Sequence, residues 1–319
     1  MKKQLDLGLN LSTKKTRKRE FLEEMERVVP WAVLVQIVEP YYPKAKTGRP
    51  PFAIETMLRV HYLQQWFALS DPAMEEALHD MPVFREFARL DSAGRLPDET
   101  TILRFRHLLE KHDLAVYMLR IVNDLLQAKG LMMKKGTVVD ATLIAAPSST
   151  KNATGKRDPE MKQTKKGNQW YFGMKAHIGV DAHSGLVHSV AGTAANVNDV
   201  TQAGALLHGQ EDVAFGDAGY QGVHKRPEAA GPTWHVAMRP GLRCKLNPFI
   251  EPEFLAEQAE KFKASVRAKV EHPFRVLKRQ FGFTKARYRG LKKNTAQIVT
   301  LFALSNLWMA RRHLMGARG

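Results

Sequence analysis

Three carboxylates stand out in this 319-residue chain by what surrounds them. Asp140 closes the apolar part of Gly136-Thr-Val-Val-Asp-Ala-Thr-Leu-Ile144, a β-branched stretch that reads as a strand. Asp217 ends a second short apolar run, in Phe215-Gly-Asp-Ala-Gly-Tyr220. Glu271 is the only acid from Lys261 to Lys293, a span holding twelve basic residues. Acids at the ends of adjacent strands, joined by a third from a helix laid over the sheet, would converge on one point. Such a trio suits Mg²⁺, a hard cation that takes oxygen ligands and shares its shell with substrate phosphate. Two such ions can clamp an in-line displacement at phosphorus.

Each acid alone also has a plainer reading. An Asp after a strand forms turns or caps helices, and Gly216 and Gly219 suit a tight turn. Glu271 is spaced by four from Arg267 and from Arg275, so it can simply pair with them on a solvated helix. Arg267, Glu271, Arg275 and Lys278 share one helical face, beside an apolar face of Val266, Val270, Phe274, Leu277 and Phe281. A helix lying on a core and looking at phosphates has this pattern. Pro273 breaks it, because proline removes a helix hydrogen bond. It either aims the carboxylate or starts a new helix.

The elements that must position these groups fall into two halves. Residues 1–20 form a basic arm, with Lys14, Lys15, Arg17, Lys18 and Arg19 clustered. Residues 21–130 read as helices. One covers Phe21 to Val38. Asp71-Pro72 supplies an N-cap and first residue, Asp98 caps Glu99 to Glu110, and Leu114 to Ala128 ends at Gly130. After Gly130 the texture becomes strand-like. Trp170–Val180 and Leu186–Gly192 alternate around an Asp181–Gly185 turn, and Val213–Asp217 is a short buried-type strand. Lys151–Asn168 reads as a polar loop, Asp199 as the cap of a helix to Leu207, and 222–260 as an irregular insertion. The boundary between the halves falls near 130–136. The fold class is α/β, with an all-α N-terminal domain.

Composition narrows the partners. Lys and Arg number 49 against 32 Asp and Glu, a net charge of +17, which favours a polyanion, nucleic acid first and an anionic membrane surface second. Cys244 is the only cysteine, so intrachain disulfides and cysteine-rich zinc frameworks are excluded, and a reducing, cytoplasmic setting fits. Residues 1–20 lack the apolar core of a secretory signal. The most apolar stretch, Ala296–Ala310, is too short and too polar to span a bilayer. The twelve histidines are scattered without a His-Glu-x-x-His pattern. Gly155-Lys156-Arg157 is not a phosphate loop, since it lacks the upstream Gly and the final Ser or Thr.

The chain resembles bacterial insertion-sequence DDE transposases, the group typified by insertion sequence 5. Gly48-Arg-Pro-Pro-Phe52 and Leu96-Pro-Asp-Glu-Thr-Thr-Ile-Leu-Arg-Phe-Arg106 look like that group's helical N-terminal region. Val138-Val-Asp-Ala-Thr142 and Phe215-Gly-Asp-Ala-Gly-Tyr-Gln-Gly222 look like its first and second Asp motifs. Arg267, Glu271 and Lys278 fit three of the four positions of its Tyr-x2-Arg-x3-Glu-x6-Lys signature, and Ala264 replaces the Tyr. The resemblance implies an RNase H-like mixed sheet flanked by helices, over residues 136–315. It implies that Asp140, Asp217 and Glu271 hold Mg²⁺, with Mn²⁺ able to substitute. It also implies that Arg267 and Lys278 contact DNA phosphates. Arg275 and Lys175 are further DNA-contact candidates near the site, with Tyr171 and His177 beside Lys175. Arg104, Arg106 and His107 would face DNA if residues 21–130 read the element's terminal repeats, although dimerisation explains the same helices. The partner implied is double-stranded DNA, as terminal inverted repeats and target, bound by a homodimer or higher oligomer at the bacterial nucleoid. A non-catalytic DNA-binding regulator and a metal-dependent nuclease without strand transfer are the alternatives.

Overall fold

The computed structural model describes residues 15–44, 48–91, 94–153 and 155–316. Most of the basic arm, including Lys14, lies outside them. Within the described part of the arm, two of the basic residues are paired with acids. Arg19 forms a bidentate pair with Glu86 at 2.9 and 2.8 Å, and Lys15 pairs with Glu23.

Helices α1 (Arg17–Val28), α2 (Trp31–Val38), α3 (Ile54–Trp66), α4 (Asp71–Asp80), α5 (Pro82–Phe87), α6 (Glu99–Lys111) and α7 (Leu114–Ala128) come first. The single helix expected over Phe21–Val38 is two, parted at Val29–Pro30, where proline cannot donate to the preceding turn. The cap of α4 is Ser70, whose Oγ accepts the Ala73 N–H; Asp71 is released to pair with Arg106. Asp98 caps α6 as expected, accepting the Thr101 N–H at 2.7 Å. Helix α3 is buried from Thr56 to Trp66 and forms the axis of this half. Its Arg59 is covered by Trp31 at 4.2 Å and held by Glu26 and Glu55.

Six strands follow: β1 (Gly136–Ala145), β2 (Lys162–Lys166), β3 (Gln169–Asp181), β4 (Val187–Ala194), β5 (Val213–Gly216) and β6 (Thr233–Val236). Then come the short α8 (Pro240–Arg243), α9 (Glu251–Arg267), α10 (Glu271–Arg275) and α11 (Leu291–Leu314). Strands β4, β3 and β1 are antiparallel neighbours; β5 pairs parallel with β1, and β6 parallel with β5. This mixed sheet, flanked by helices and preceded by an all-helical region, is consistent with the RNase H-like fold that the resemblance implied.

Three expectations fail here. The polar run Lys151–Asn168 contains β2, which lengthens the sheet along the N-terminal half of β3. The segment 222–260 holds β6, which extends the sheet beside β5, and most of α9, so it is not irregular throughout. Asp199 does not cap a helix to Leu207: two short 3₁₀ turns stand there, and Asn198 occupies the cap position.

One face of the sheet, with Val138, Met174, Ala176, Ile178 and Val180, packs on α11 and joins the core of the N-terminal helices. The other face carries a smaller cluster of Val139, Val200, Leu206, Tyr220 and Val223. Helix α11 runs between the two halves and is buried along Asn294 and Gln297–Leu307. Its Asn306 docks on β4 as a strand would. Oδ1 accepts the Val187 N–H at 2.8 Å, and Nδ2 donates to the Val187 carbonyl at 2.7 Å and to Asn123 of α7 at 2.9 Å. No helix among the described residues is long and apolar enough to cross a membrane.

Replacing Asn306 by Leu leaves both peptide groups of Val187 buried without partners. At about 1–3 kcal/mol for each, the N306L variant should lose about 2–6 kcal/mol. A shift in the urea midpoint at unchanged m-value would show it, and a parent-like midpoint would remove Asn306 from this role.

Candidate active site

The β1–β5 pairing decides where two of the acids lie. Val138 stands opposite Phe215, an offset of 215 − 138 = 77 residues. The same number separates Asp140 from Asp217, so the parallel register carries the two toward each other just beyond the last paired residues. Strand β5 stops at Gly216, while β1 runs on to Ala145. The far half of β1 therefore has an edge that β5 leaves open, and the cleft forms there.

The glycines of Phe215-Gly-Asp-Ala-Gly-Tyr220 make the turn after β5 possible. A Cβ on Gly216 would sit 2.9 Å from the Tyr220 Cβ, and one on Gly219 would sit 2.9 Å from Asp217 Oδ1. With no side chain there, the Gly219 N–H donates to Asp217 Oδ1 at 2.8 Å and fixes the carboxylate.

The third acid arrives on a broken helix. Helix α9 tightens into a 3₁₀ turn at Ala268–Val270, and α10 begins with Glu271 itself. Of the two readings of Pro273, the structure takes the second: it sits in the first turn of a new helix, where its missing N–H costs little. Val270, Phe274, Leu277 and Phe281 are buried against the core, as their spacing predicted. A π turn at Val276–Gln280 then widens the helix and carries Lys278. Its ammonium donates to Thr142 Oγ1 at 2.6 Å and to the Leu143 carbonyl at 3.3 Å, on the far half of β1.

Asp140, Asp217 and Glu271 line one cleft of about 980 Å³, together with Arg267, Arg275 and Lys278. Among the described residues, seven Lys and Arg side chains surround the four acids of this cleft. The cleft thus attracts a polyanion while keeping a negative centre. Asp140 shows the strain of that centre. Its carboxyl is pushed up to about 7, first by burial and then by the negative charges of Asp217 and Glu271, against the Ala141 N–H and Arg267, which pull it down. A cation beside such a carboxyl would favour its charged form. The donor set is oxygen only, which fits a hard divalent ion. The trio is not closed up, however. Among the described residues, only His188, His208 and Glu211 form a three-residue group of His, Cys, Asp or Glu with all ligand atoms within 4.8 Å of one another.

Other predicted contacts divide. Arg106 does not face DNA: it is buried, paired with Asp71 at 2.9 Å and Glu110 at 2.8 Å, and stacked over Tyr288. Arg104 is exposed, in a separate groove with Arg49 and Arg95. Lys175 lines the cleft, but its ammonium is held by Asp199 and the Val197 carbonyl, both at 2.8 Å. His177 is buried and bonded to Thr193. The sequence reading missed Asp199 as a fourth acid and Lys165 and Lys166 as rim cations. A usable signal was the Gly167-Asn168 turn between a Lys-rich run and an aromatic strand, a hairpin pattern.

A sequence-family model described as Transposase DDE domain matches residues 132–307, more than half of the chain. A second, described as Transposase domain (DUF772), matches residues 9–108. No solved structure matches.

The position of Asp140 has a measurable consequence. Its carboxyl goes from 3.8 in the open chain to about 7 in the fold, so the folded state holds the proton more tightly. That contribution is complete below about pH 4 and is lost as pH rises through 7. In metal-free buffer, Asp140→Asn should therefore match the parent near pH 4 and exceed it at pH 8. At about 1.4 kcal/mol per pH unit, the gain is at most about 4 kcal/mol. Denaturation across this range tests it, and a variant no more stable than the parent at pH 8 would contradict the assignment.

Proposed function

The chain belongs to the Transposase DDE domain family, and we propose that it is a DNA transposase of the insertion sequence 5 group that cuts element ends and joins the freed 3′-OH to target DNA. The observation that carries this reading is the gathering of Asp140, Asp217 and Glu271 in one basic cleft, with Asp140 held toward its neutral form by burial and like charge. Asp140, Asp217 and Glu271 would hold divalent cations, Mg²⁺ by their all-oxygen chemistry, with Mn²⁺ as a substitute. When bound, such ions polarise the phosphoryl group and favour both the attacking and the leaving oxygen.

The protein's own residues do the rest. Lys278, anchored on β1, presents its ammonium beside the acids and leaves a donor for a phosphate oxygen. Arg267 and Arg275 share its helical face and grip the same strand of DNA. Lys165 and Lys166 on β2 close the opposite rim. Burial and like charge hold Asp140 toward its neutral form, so it would have to lose its proton to serve as a cation ligand. Water attack at the element end and 3′-OH attack on the target are both phosphoryl transfers, and one site serves both. The partners are the terminal inverted repeats and the target duplex, and we infer a homodimer or higher oligomer on DNA acting at the bacterial nucleoid.

Asp140→Asn, Asp217→Asn and Glu271→Gln should each abolish metal-dependent cleavage of an element-end duplex while leaving its binding nearly unchanged. Parent-like cleavage by any one removes that residue from the site. Binding without cleavage by the parent would favour the regulator. Cleavage without joining would favour the nuclease.

Affinity should also fall steeply with salt as counterions are released. Arg275→Ala and Lys166→Ala should each lower the slope of log K against log salt by about one. Arg106→Lys should leave the slope unchanged, because the buried arginine touches no phosphate. Equal slopes for all variants would place the duplex elsewhere.

A further inference from the structure

Among the described residues, the only pre-assembled group of metal-type ligands lies away from the acidic cleft. It meets at Thr137 of β1, three residues before Asp140 and, by strand alternation, on the opposite face of the sheet. His188 comes from β4 at a register fault. Gly179 pairs with Ser189 and Val180 with Val187, so His188 is the extra residue of a bulge. Bulges re-aim side chains. A Cβ on Gly179 would sit 2.8 Å from the His188 ring and 2.3 Å from the Leu206 carbonyl. Glycine there lets both the ring and the following loop lie against β3. That loop brings His208 and Glu211.

The ligand atoms of His188, His208 and Glu211 all lie within 4.8 Å of one another. His208 Nε2 is buried and has no hydrogen-bond partner. It stands 3.4 Å from Glu211 Oε1. Two ligands of a tetrahedral ion with bonds of about 2.0–2.1 Å are separated by about the same distance. The surrounding groups are those that orient metal ligands. Ser189 Oγ lies 2.9 Å from His188 Nδ1. Glu211 is fixed by the Thr137 hydroxyl at 3.1 Å and by the N–H groups of His208 and Gly209 at 2.6 and 2.7 Å.

We propose that His188, His208 and Glu211 bind one transition-metal dication of the Zn²⁺ class, at a site separate from the carboxylate cleft. Two imidazoles and one carboxylate select a borderline ion over Mg²⁺. Binding requires a change of tautomer and no net loss of protons. The Gln210 N–H donates to His208 Nδ1 at 3.2 Å, which leaves the ring proton on Nε2. On ligation the proton moves to Nδ1, and the exposed Gln210 N–H turns to water. The Thr137 proton goes to Glu211, so His188 Nε2–H donates to Thr137 Oγ1 at 3.0 Å. On ligation this ring also shifts its proton to Nδ1, where it is donated to Ser189 Oγ, and the Thr137 contact is given up. The ion would tie the β4 bulge and the 207–212 loop to the start of β1, immediately ahead of β5, whose far end carries Asp217. It is a brace for the strand pair that sets the cleft, and it shares no residue with the cleft because it lies on the opposite face of the sheet.

The test uses full-length, tag-free protein and a triple variant, Asp140→Asn with Asp217→Asn and Glu271→Gln, which removes the cleft carboxylates. Zn²⁺ should bind at one equivalent and raise the Tm of the parent and the triple variant alike. Co²⁺ should give the visible absorption of a four-coordinate site in both. His208→Gln should abolish the Co²⁺ spectrum. Ser189→Ala, which touches no ligating atom, should weaken binding about 10–100-fold and covers the case in which His208→Gln does not fold. Zinc binding that disappears in the triple variant would overturn the proposal, as would a Co²⁺ spectrum that survives His208→Gln or no zinc uptake by the parent. A cleft that fails to cleave DNA leaves each of these outcomes readable.

Discussion

The parallel pairing of β1 with β5 is the constraint on which the rest depends. Only three residue pairs form it, Gly136–Val138 against Val213–Phe215. They set an offset that brings together two aspartates 77 positions apart. A slip of one residue would turn every β5 side chain to the other face, and Asp217 would leave the cleft. Such a short pairing needs outside support. On one face, Phe215 and Val138 pack into the large core with α11. On the other, Tyr220 and Val223 hold the chain that follows β5. At its base, the Asp212 N–H donates to the Lys135 carbonyl at 2.9 Å, and Thr137 reaches Glu211. Strand β6 closes the far side. The register is thus fixed from four directions, and the acids inherit their position from it.

The electrostatics follow from where each charge meets water. Asp140 sits on the sheet and is largely buried, so it bears the cost of crowding and holds its proton. Glu271 starts a helix at the mouth of the cleft and is exposed. Lys278 is tied to β1 through Thr142 and Leu143 rather than hydrogen-bonded to an acid. Lys175 is spoken for by Asp199. Among the cleft's described cations, Lys175 is thus committed to protein acceptors and Lys278 partly so, whereas no acceptor holds Arg275, Lys165 or Lys166 in the same way.

Much of this arrangement was legible in the sequence, for identifiable reasons. Helices α6 and α7 have strong amphipathic spacing, and α6 opens on an Asp cap, so both were placed almost to the residue. The three acids stood out through local contrast. Their convergence did not, because it depends on a register that no local pattern encodes. Helix and cap errors came from competition: Pro30 outweighed a continuous apolar pattern, and Ser70 outcompeted Asp71 for the cap because Asp71 had Arg106 to bind. Arg106 was misjudged for the same reason in reverse. A basic residue on an amphipathic helix reads as solvent-facing, and only the fold shows Asp71, Glu110 and the Tyr288 ring closing around it. Strand β2 was hidden because a polar strand on the sheet's outer edge has no apolar alternation to reveal it.

The continuity of the core constrains how the two halves can work together. Helices α1, α2, α3 and α7 share one apolar cluster with α11 and the sheet, and no second core separates residues 21–130 from the rest. Polar contacts cross the same boundary: Arg106 of α6 stacks on Tyr288, Gln65 of α3 meets Gln297, and Asn123 of α7 meets Asn306. Tyr288 lies between the π turn that carries Lys278 and helix α11. A displacement of α6 would thus have to disturb a buried ion pair and the segment leading out of the cleft, and the unpaired charges would cost several kcal/mol. The N-terminal helices are for this reason part of the scaffold that holds the cleft. The surface of these helices is therefore tied through one continuous core to the elements that carry Asp140, Asp217 and Glu271.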